Sequence, residues 1–284
     1  MTCAWKELLS VLPDWMRKEV DALGAASMQE LRLRINSPPE LVFADKCCCL
    51  QRGITMEDLN FIVNASVQYS PWTAASVAQG FITIPGGHRI GLCGEAIVQQ
   101  GKVTGIRYVS SLCIRIARDF PGIAADIKKI TGSILILGPP GSGKTTMLRD
   151  LIRQRGEIEQ ICVVDERKEL FPEGFDKSNH VDILSGCSKK EGIRMLLRTM
   201  GPSCIAMDEI TDPEDTDALL QAANCGVDLL ATAHAASVSD FRKRNIYRPL
   251  LENQIFPVIL LIKKDKSYTI ERMTQWVTNG LVQY

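Results

Sequence analysis

The sequence predicts an α/β protein: a parallel sheet with helices on both faces, preceded by a smaller α+β domain. From residue 132 onward, short apolar runs alternate with amphipathic helical patterns, which is typical of βαβ units. Residues 81–117 instead predict consecutive strands separated by turns, as in an antiparallel meander. A Pro-Gly step and a short helical stretch separate the two patterns. We therefore expect an α+β domain over 1–118, a linker over 119–131 and a second domain over 132–284.

The composition is that of an ordinary soluble chain. Of its 284 residues, 45% are hydrophobic and 23% are charged, and the formal net charge is zero. No apolar run approaches the ~18 residues that a transmembrane helix needs, and charges interrupt the first residues, where a signal peptide requires an apolar core. Zero net charge provides no global field to attract nucleic acid. We expect a protein without a transmembrane segment that is cytoplasmic, or peripheral at a membrane through a partner.

The pattern of the first 118 residues predicts small helices and short strands. Thr55 as N-cap with Asp58 three residues later predicts a helix start. The predicted helices are 5–23, interrupted at Pro13, then 55–68 and 74–79, and the predicted strands are 31–35, 41–44, 47–50, 81–84, 88–96, 103–108 and 111–117.

The second domain alternates regularly. Asp212 at the N-cap position and Pro213 directly after it mark one helix start clearly. The predicted strands are 134–137, 161–164, 204–207 and 228–233, the helices are 143–155, 190–200 and 213–225, and a terminal hairpin covers 256–263 and 268–273.

The first of these strands leads into a phosphate-binding loop. Residues 138–145 fit G-x-x-x-x-G-K-[ST] between a predicted strand and a predicted helix, the context that a P-loop requires. Backbone N–H groups and the positive helix end would cradle phosphates, Lys144 would reach the β- and γ-phosphates, and Thr145 would ligate Mg²⁺. The expected nucleotide-binding residues are Gly138, Pro139, Pro140, Gly141, Ser142, Gly143, Lys144, Thr145 and Thr146.

Polar side chains end three later strands. Because ligands bind at the carboxyl edge of a parallel sheet, these side chains should face the P-loop. Asp208 would hold Mg²⁺ with Thr145, Glu209 would polarise the attacking water, and Glu166 would act as a second group on water or Mg²⁺. Thr232 and His234 end a strand at a position that senses the γ-phosphate in NTPases, and His234 would donate a hydrogen bond to phosphate or to a catalytic carboxylate. The alternatives are a solvated acidic loop at 208–209, a surface ion pair between Glu166 and Arg167, and a structural His234.

A hydrolytic site of this kind often uses an arginine as well. The candidates for an arginine finger, Arg89, Arg107, Arg115 and Arg118, cluster in the predicted meander. Each could instead be a solvated charge on a strand face.

The remaining histidines and the ten cysteines do not predict a metal site. No C-x-x-C pair has a matching partner, and Cys113, Cys162 and Cys204 lie in apolar strand-like runs. We expect reduced structural thiols, and we expect His88 and His180 to be structural or exposed.

Together, 138–145, 163–167, 196–210 and 232–234 resemble the secretion ATPase superfamily, the hexameric motors of type II and type IV secretion and pilus systems. Residues 86–95, 114–118 and 181–192 resemble its sporulation branch in endospore-forming Firmicutes. The resemblance implies a RecA-like P-loop fold, with 138–145 as Walker A, Glu166 in the acidic box, Asp208-Glu209 as Walker B and His234 in the His box. The superfamily's Walker B usually reads Gly-Glu-Ile-Arg-Asp, whereas Asp208 and Thr211 stand here in place of the Gly and the Arg.

The resemblance further implies an ATP- and Mg²⁺-dependent motor. It would be a homo-hexamer on the mother-cell side, acting with membrane-embedded sporulation channel proteins. The alternative is a nucleic-acid-associated P-loop ATPase that uses the arginine-rich block and 242–244, although zero net charge and the lack of an aromatic stacking stripe disfavour it. A weaker third interpretation is a scaffold that binds ATP as a switch.

Overall fold

A computed structural model describes residues 3–24, 28–43, 45–67, 80–172 and 174–273. The chain divides into two units: Met1–Asp119 with Pro172–Phe175, and Phe120–Phe171 with Asp176–Tyr284. The helix expected at 74–79 lies outside the described residues.

The first unit is built on an antiparallel six-stranded sheet with the order β3-β2-β1-β6-β5-β4. Its strands are β1 (Met28–Arg34), β2 (Glu40–Phe43), β3 (Cys47–Cys49), β4 (Phe81–Thr83), β5 (Arg89–Gln99) and β6 (Lys102–Arg115). Its helices are α1 (Trp5–Ser10), α2 (Asp14–Leu23) and α3 (Met56–Val67).

Alternating side chains cover one face of this sheet. Leu31 and Leu33 are fully buried, and apolar side chains from the helices, including Leu12 and Ile62, complete the same core. The predicted start of α3 is confirmed: Thr55 Oγ1 accepts the N–H of Asp58 at 3.1 Å, and the Asp58 carboxylate accepts the N–H of Thr55 at 3.0 Å.

The strands predicted at 103–108 and 111–117 are one continuous strand, β6. It pairs with β5 along most of its length and also with β1, so backbone pairing carries the strand through the polar step at 110–111. The register shifts beside Gly94, where a Cβ atom would lie 2.7 Å from the carbonyl oxygen of Arg107. This bulge requires glycine and was not recognised in the sequence.

The second unit contains a seven-stranded sheet with the order β13-β12-β7-β11-β10-β8-β9. All neighbouring strands are parallel except β12 and β13. The strands are β7 (Ile134–Gly138), β8 (Ile161–Asp165), β9 (Val181–Ser185), β10 (Cys204–Met207), β11 (Asp228–His234), β12 (Val258–Ile262) and β13 (Tyr268–Arg272). The helices are α4 (Lys144–Arg155), α5 (Lys189–Thr199), α6 (Pro213–Asn224), α7 (Val238–Lys243) and α8 (Arg248–Glu252).

Apolar side chains are buried on both faces of this sheet. Leu135 and Leu137 pack in a cluster that includes Ile193 of α5. Ile134 and Ile136 pack on the opposite face in a cluster that includes side chains of α4. The predicted parallel sheet with helices on both faces is therefore confirmed.

The sequence patterns missed β9, α7 and α8, which are short and carry many polar side chains. The helix expected before residue 130 is wrong, because 121–129 form turns rather than an α-helix. The backbone N–H groups of Gly122 and Ala124 donate instead to the Asp150 carboxylate of α4, at 3.0 and 2.8 Å.

Candidate functional site

The carboxyl ends of the central strands meet at one edge of the second unit's sheet. His234 of β11 stands opposite Gly138 of β7, and Met207 of β10 is in register with Val164 of β8. The loop at 138–145 and the polar pairs at 165–166 and 208–209 follow directly. The fold thus brings the chemically distinctive segments of the second domain to a single edge.

The loop after β7 depends on its glycines. Gly143 caps α4 with φ 97°, and Gly141 has φ 70°. A Cβ atom on Gly138 would lie 2.5 Å from Ser142 Oγ and 2.8 Å from the carbonyl oxygen of Ile262, so the close approach also requires glycine. Ser142 Oγ is buried and has no hydrogen-bond partner among the described residues. A phosphate oxygen in this loop is an acceptor of the kind that such a hydroxyl needs.

Lys144 is buried at the first position of α4, with 6% of its surface exposed. Its Nζ donates to the carbonyl oxygen of Pro139 at 3.1 Å and lies 2.9 Å from Nδ1 of His234. Burial lowers the pKa of Lys144, while the charges of Asp208 and Glu209 act in the opposite direction. A desolvated ammonium in this loop is suited to bind an anionic ligand.

His234 links this lysine to the carboxylate after β10. Its Nε2 lies 2.9 Å from Oε1 of Glu209. Because a lysine ammonium only donates, Nδ1 of His234 accepts, and the ring proton on Nε2 is directed at Glu209. The three side chains form one connected series of contacts, Lys144–His234–Glu209.

Asp208 has two hydroxyl partners. Thr145 Oγ1 donates to its Oδ2 at 2.7 Å, and Thr232 Oγ1 donates to its Oδ1 at 2.6 Å. The backbone N–H of Glu209 donates to Thr232 Oγ1 at 2.9 Å, and Glu209 has φ 45°. Glu209 thus has a left-handed backbone, and its carboxylate contacts His234. Thr232 therefore orients Asp208 and Glu209.

The donor set fits a magnesium ion. Thr145 Oγ1 and Asp208 Oδ2 are hard oxygen ligands that already lie together, and Mg²⁺ typically takes one or two protein oxygens in addition to phosphate and water. No cluster of three or more His, Cys, Asp or Glu side chains suited to a metal occurs in the described ranges. Thr145 Oγ1 and Asp208 Oδ2 are suited to hold a Mg²⁺ whose other ligands are phosphate and water.

Asp165, which ends β8, and Glu166, which follows it, have different partners. The carboxylate of Asp165 accepts the N–H groups of Glu169, Leu170 and Phe171 at 2.9–3.2 Å. Burial raises the pKa of Asp165, and these hydrogen bonds oppose the shift. Asp165 thus holds the loop that follows β8.

Glu166 pairs with Lys189, and not with Arg167 as considered from the sequence. Its Oε2 lies 3.2 Å from Nζ of Lys189, whereas the Arg167 guanidinium lies 4.0 Å from Oε2 of Glu209. The alternative of a Glu166–Arg167 pair is therefore not what the structure shows. Sequence reasoning missed Lys189, although its position directly after the N-cap Ser188 places it at this edge. A single pocket is lined by Val164, Asp165, Glu166, Arg167, Glu169, Lys189, Asp208 and Glu209.

The candidate arginines all lie in the first unit. Arg107 pairs with Glu95 at 2.6 Å, and Arg115 lies 3.6 Å from Glu30. The Arg89 guanidinium stacks 3.8 Å from the ring centroid of Phe81, and Arg118 donates to the carbonyl oxygen of Met28. A role as an arginine finger stays a prediction for each.

The ten cysteines differ in burial: Cys47, Cys49, Cys93 and Cys225 are exposed, which does not agree with a structural role for every thiol. The ten cysteines are free thiols. Cys162 and Cys204 are buried in strands, and burial raises the pKa of Cys162 to about 11. His88 is fully buried in the first unit, and His180 is exposed.

Comparison with known proteins identifies the family of this chain. The family described as sporulation stage III, protein AA matches residues 5–273. The stage III sporulation protein AA of Bacillus subtilis (strain 168) is 37% identical over 282 residues, which covers 92% of each chain. In the part of the chain that the structure describes, no helix is long and apolar enough to span a bilayer.

Two solved structures share the fold. The Yersinia pseudotuberculosis ATPase DotB has a TM-score of 0.63 at 18% identity, covering 94% of this chain and 81% of its own. The pilus retraction motor PilT with bound ADP has a TM-score of 0.61 at 18% identity, covering 87% of this chain and 76% of its own. The chain thus has the fold of the RecA-like secretion ATPases.

Proposed function

Because this chain belongs to the sporulation stage III protein AA family, a branch homologous to the type II and type IV secretion ATPases, we propose that it is an ATP-hydrolysing motor. The motor would energise assembly of, or transport through, a membrane channel complex during endospore formation. It would work as a homo-hexamer at the cytoplasmic, mother-cell face, with membrane-embedded sporulation channel proteins as partners.

One observation carries the enzymatic part of the proposal. The Lys144–His234–Glu209 contacts and the Thr145–Asp208 pair lie at the same sheet edge. A protein that only bound a nucleotide would need the loop, but it would not need a glutamate held by a histidine beside the phosphate site. The convergence is what in-line attack of water on a γ-phosphate requires, since that chemistry depends on positioning and charge stabilisation.

Each side chain has a defined part in the proposed reaction. The backbone of 138–145 and the Lys144 ammonium bind the phosphates, so Lys144 exchanges His234 and Pro139 for phosphate oxygens. Thr145 and Asp208 would hold Mg²⁺, which neutralises charge on the β- and γ-phosphates. Glu209 orients the water and accepts its proton, while His234 keeps the Glu209 carboxylate in place. Glu166 is the second carboxylate at this edge.

The proposal that hydrolysis drives a motor rests on the family and on the fold. Structures with this fold include a pilus retraction motor with bound ADP and the ATPase DotB. One of Arg89, Arg107, Arg115 and Arg118 would then reach the nucleotide of a neighbouring subunit and stabilise the transition state.

Two measurements test the motor proposal. ATP turnover by the purified full chain with Mg²⁺, together with native mass measurement at micromolar concentration, should show hydrolysis and a hexamer. Each Arg→Ala variant is then mixed with wild type: a finger that acts in trans lowers turnover of the mixed ring more than in proportion to its fraction. An active protein that stays monomeric with ATP would contradict the ring. ATPase stimulation by single-stranded nucleic acid that falls steeply with salt would favour the nucleic-acid alternative.

A further inference from the structure

Lys189 is a buried cation where helix electrostatics disfavour one. It is the first residue of α5, and Ser188 caps that helix by accepting the N–H of Glu191 at 3.4 Å. A positive charge in the first turn opposes the helix macrodipole. Lys189 is also only 8% exposed, so its ammonium has lost most of its hydration. A local arrangement that costs stability in two ways is expected mainly at functional sites.

Two carboxylates hold this ammonium. Its Nζ lies 3.2 Å from Oδ2 of Asp215 and 3.2 Å from Oε2 of Glu166. The Asp215 oxygen is itself fixed, because it accepts the backbone N–H groups of Thr211 at 3.0 Å and Asp212 at 3.2 Å in the capping box of α6. Asp215 of α6 therefore fixes the position of the Lys189 ammonium, which also contacts Glu166.

Glu166 depends on this contact for its position. Its side chain is 39% exposed, and it lines one pocket with Asp165, Asp208 and Glu209. Repulsion from these neighbouring carboxylates favours rotation of Glu166 towards solvent. The ammonium of Lys189 opposes that rotation.

We propose that Lys189 is a positioning residue, which holds the Glu166 carboxylate at the sheet edge beside Asp208 and Glu209. This inference rests on the proposed function, because it assigns Lys189 to the same hydrolytic site. It acts through Glu166 and does not require Lys189 to touch the nucleotide.

The chain offers a matched control in the next residue. Lys190 pairs with Glu214 at 3.0 Å, so it also joins α5 to α6, but it does not line the pocket. We expect Lys189→Met to lower kcat for ATP about tenfold to a hundredfold and to leave KM within about twofold, since misplaced groups cost turnover of this order. We expect Lys190→Met to change neither constant. Unchanged kcat in folded Lys189→Met protein would overturn the inference.

A double-mutant cycle separates positioning from a general structural effect. If Lys189 acts through Glu166, then Lys189→Met in a Glu166→Gln background should cause little further loss of kcat. If Lys189→Met lowers kcat by the same factor in that background, Lys189 acts independently of Glu166 and the inference is wrong.

Lys189→Met could fail to fold because it leaves Asp215 buried without its cation. The double variant Lys189→Met/Asp215→Asn removes that charge, and it should fold while still showing the loss of kcat. Normal turnover in the folded double variant would overturn the inference. Wild-type protein that does not hydrolyse ATP would overturn the proposed function and this inference together, whereas an active wild type with an unaffected Lys189→Met variant would overturn the inference alone.

Discussion

His234 Nε2 lies 2.9 Å from Oε1 of Glu209, while the other ring nitrogen of His234 lies 2.9 Å from Nζ of Lys144. One imidazole therefore connects the side chain expected to bind phosphate with the side chain expected to act on water. In the proposed reaction, phosphate would replace His234 as a partner of Lys144, while His234 keeps its contact with Glu209. If the chain hydrolyses ATP as proposed, this contact would couple nucleotide binding to activation of water.

Glu209→Gln should bind ATP but not turn it over. Glutamine keeps the size of the side chain but cannot accept a proton from water, so we expect kcat to fall by a factor of about a hundred to ten thousand. Steady-state ATPase and equilibrium binding of ATP on the same preparation measure the two effects. Glu252→Gln is the control, since Glu252 pairs with Arg248 on the surface of α8. Full turnover by Glu209→Gln would exclude Glu209 as the base.

Lys144→Ala should abolish ATP turnover and weaken nucleotide binding. The variant removes the ammonium that donates to the Pro139 carbonyl oxygen and that we propose binds phosphate. Lys264, an exposed lysine between β12 and β13, provides the control substitution Lys264→Ala. Both variants are compared by ATPase rate and by titration with ADP. Wild-type activity in Lys144→Ala would show that the loop does not serve hydrolysis.

Gly138→Ala should destabilise the protein. The added methyl group would collide with Ser142 Oγ and with the backbone oxygen of Ile262, and we expect a loss of about 1–3 kcal/mol in the free energy of unfolding. A Cβ atom on Gly53 meets nothing within 4 Å, so Gly53→Ala should stay within about 0.5 kcal/mol of wild type. Urea unfolding measures both. Equal stability of the two variants would contradict the close approach at Gly138.

The free energy of unfolding should fall on mild acidification because His88 is buried. Burial lowers the pKa of His88 below its ordinary value of 6.5, and the bond from Nε2 to the Ala4 carbonyl oxygen opposes the shift only in part. Nδ1 accepts the N–H of Ala117 at 3.1 Å, so protonation of the ring would break this bond. As pH falls through about 6.5, the unfolded chain takes up the proton first. The contribution of His88 to the free energy of unfolding is therefore complete above this pH. It declines as the pH falls towards the lower pKa of the folded state.

The measurement is urea unfolding between pH 7.5 and pH 5. His88→Gln should be less stable than wild type at pH 7.5 but should lose less stability on acidification. His180→Gln is the control substitution, because the His180 side chain is exposed. A wild-type slope in His88→Gln would assign the pH dependence to other groups.

The sequence by itself determined the sheet class and most of the site. Buried parallel strands are continuous apolar runs, one here leads into the P-loop and three later ones end in polar side chains, so Lys144, Asp208, Glu209 and His234 could be assigned to one edge before any coordinates. The P-loop glycines could be predicted for the same reason: their backbone conformation is a local property of the motif.

Tertiary structure alone decided which partners these side chains have. Glu166 pairs with Lys189 rather than Arg167, and Thr232 orients Asp208. Both contacts join segments that are distant in sequence, and they depend on strand order and helix packing that no local pattern encodes. The short elements β9, α7 and α8 and the continuous strand β6 were missed for the same reason. Their stability comes from long-range pairing and burial, and local propensity supplies little of it.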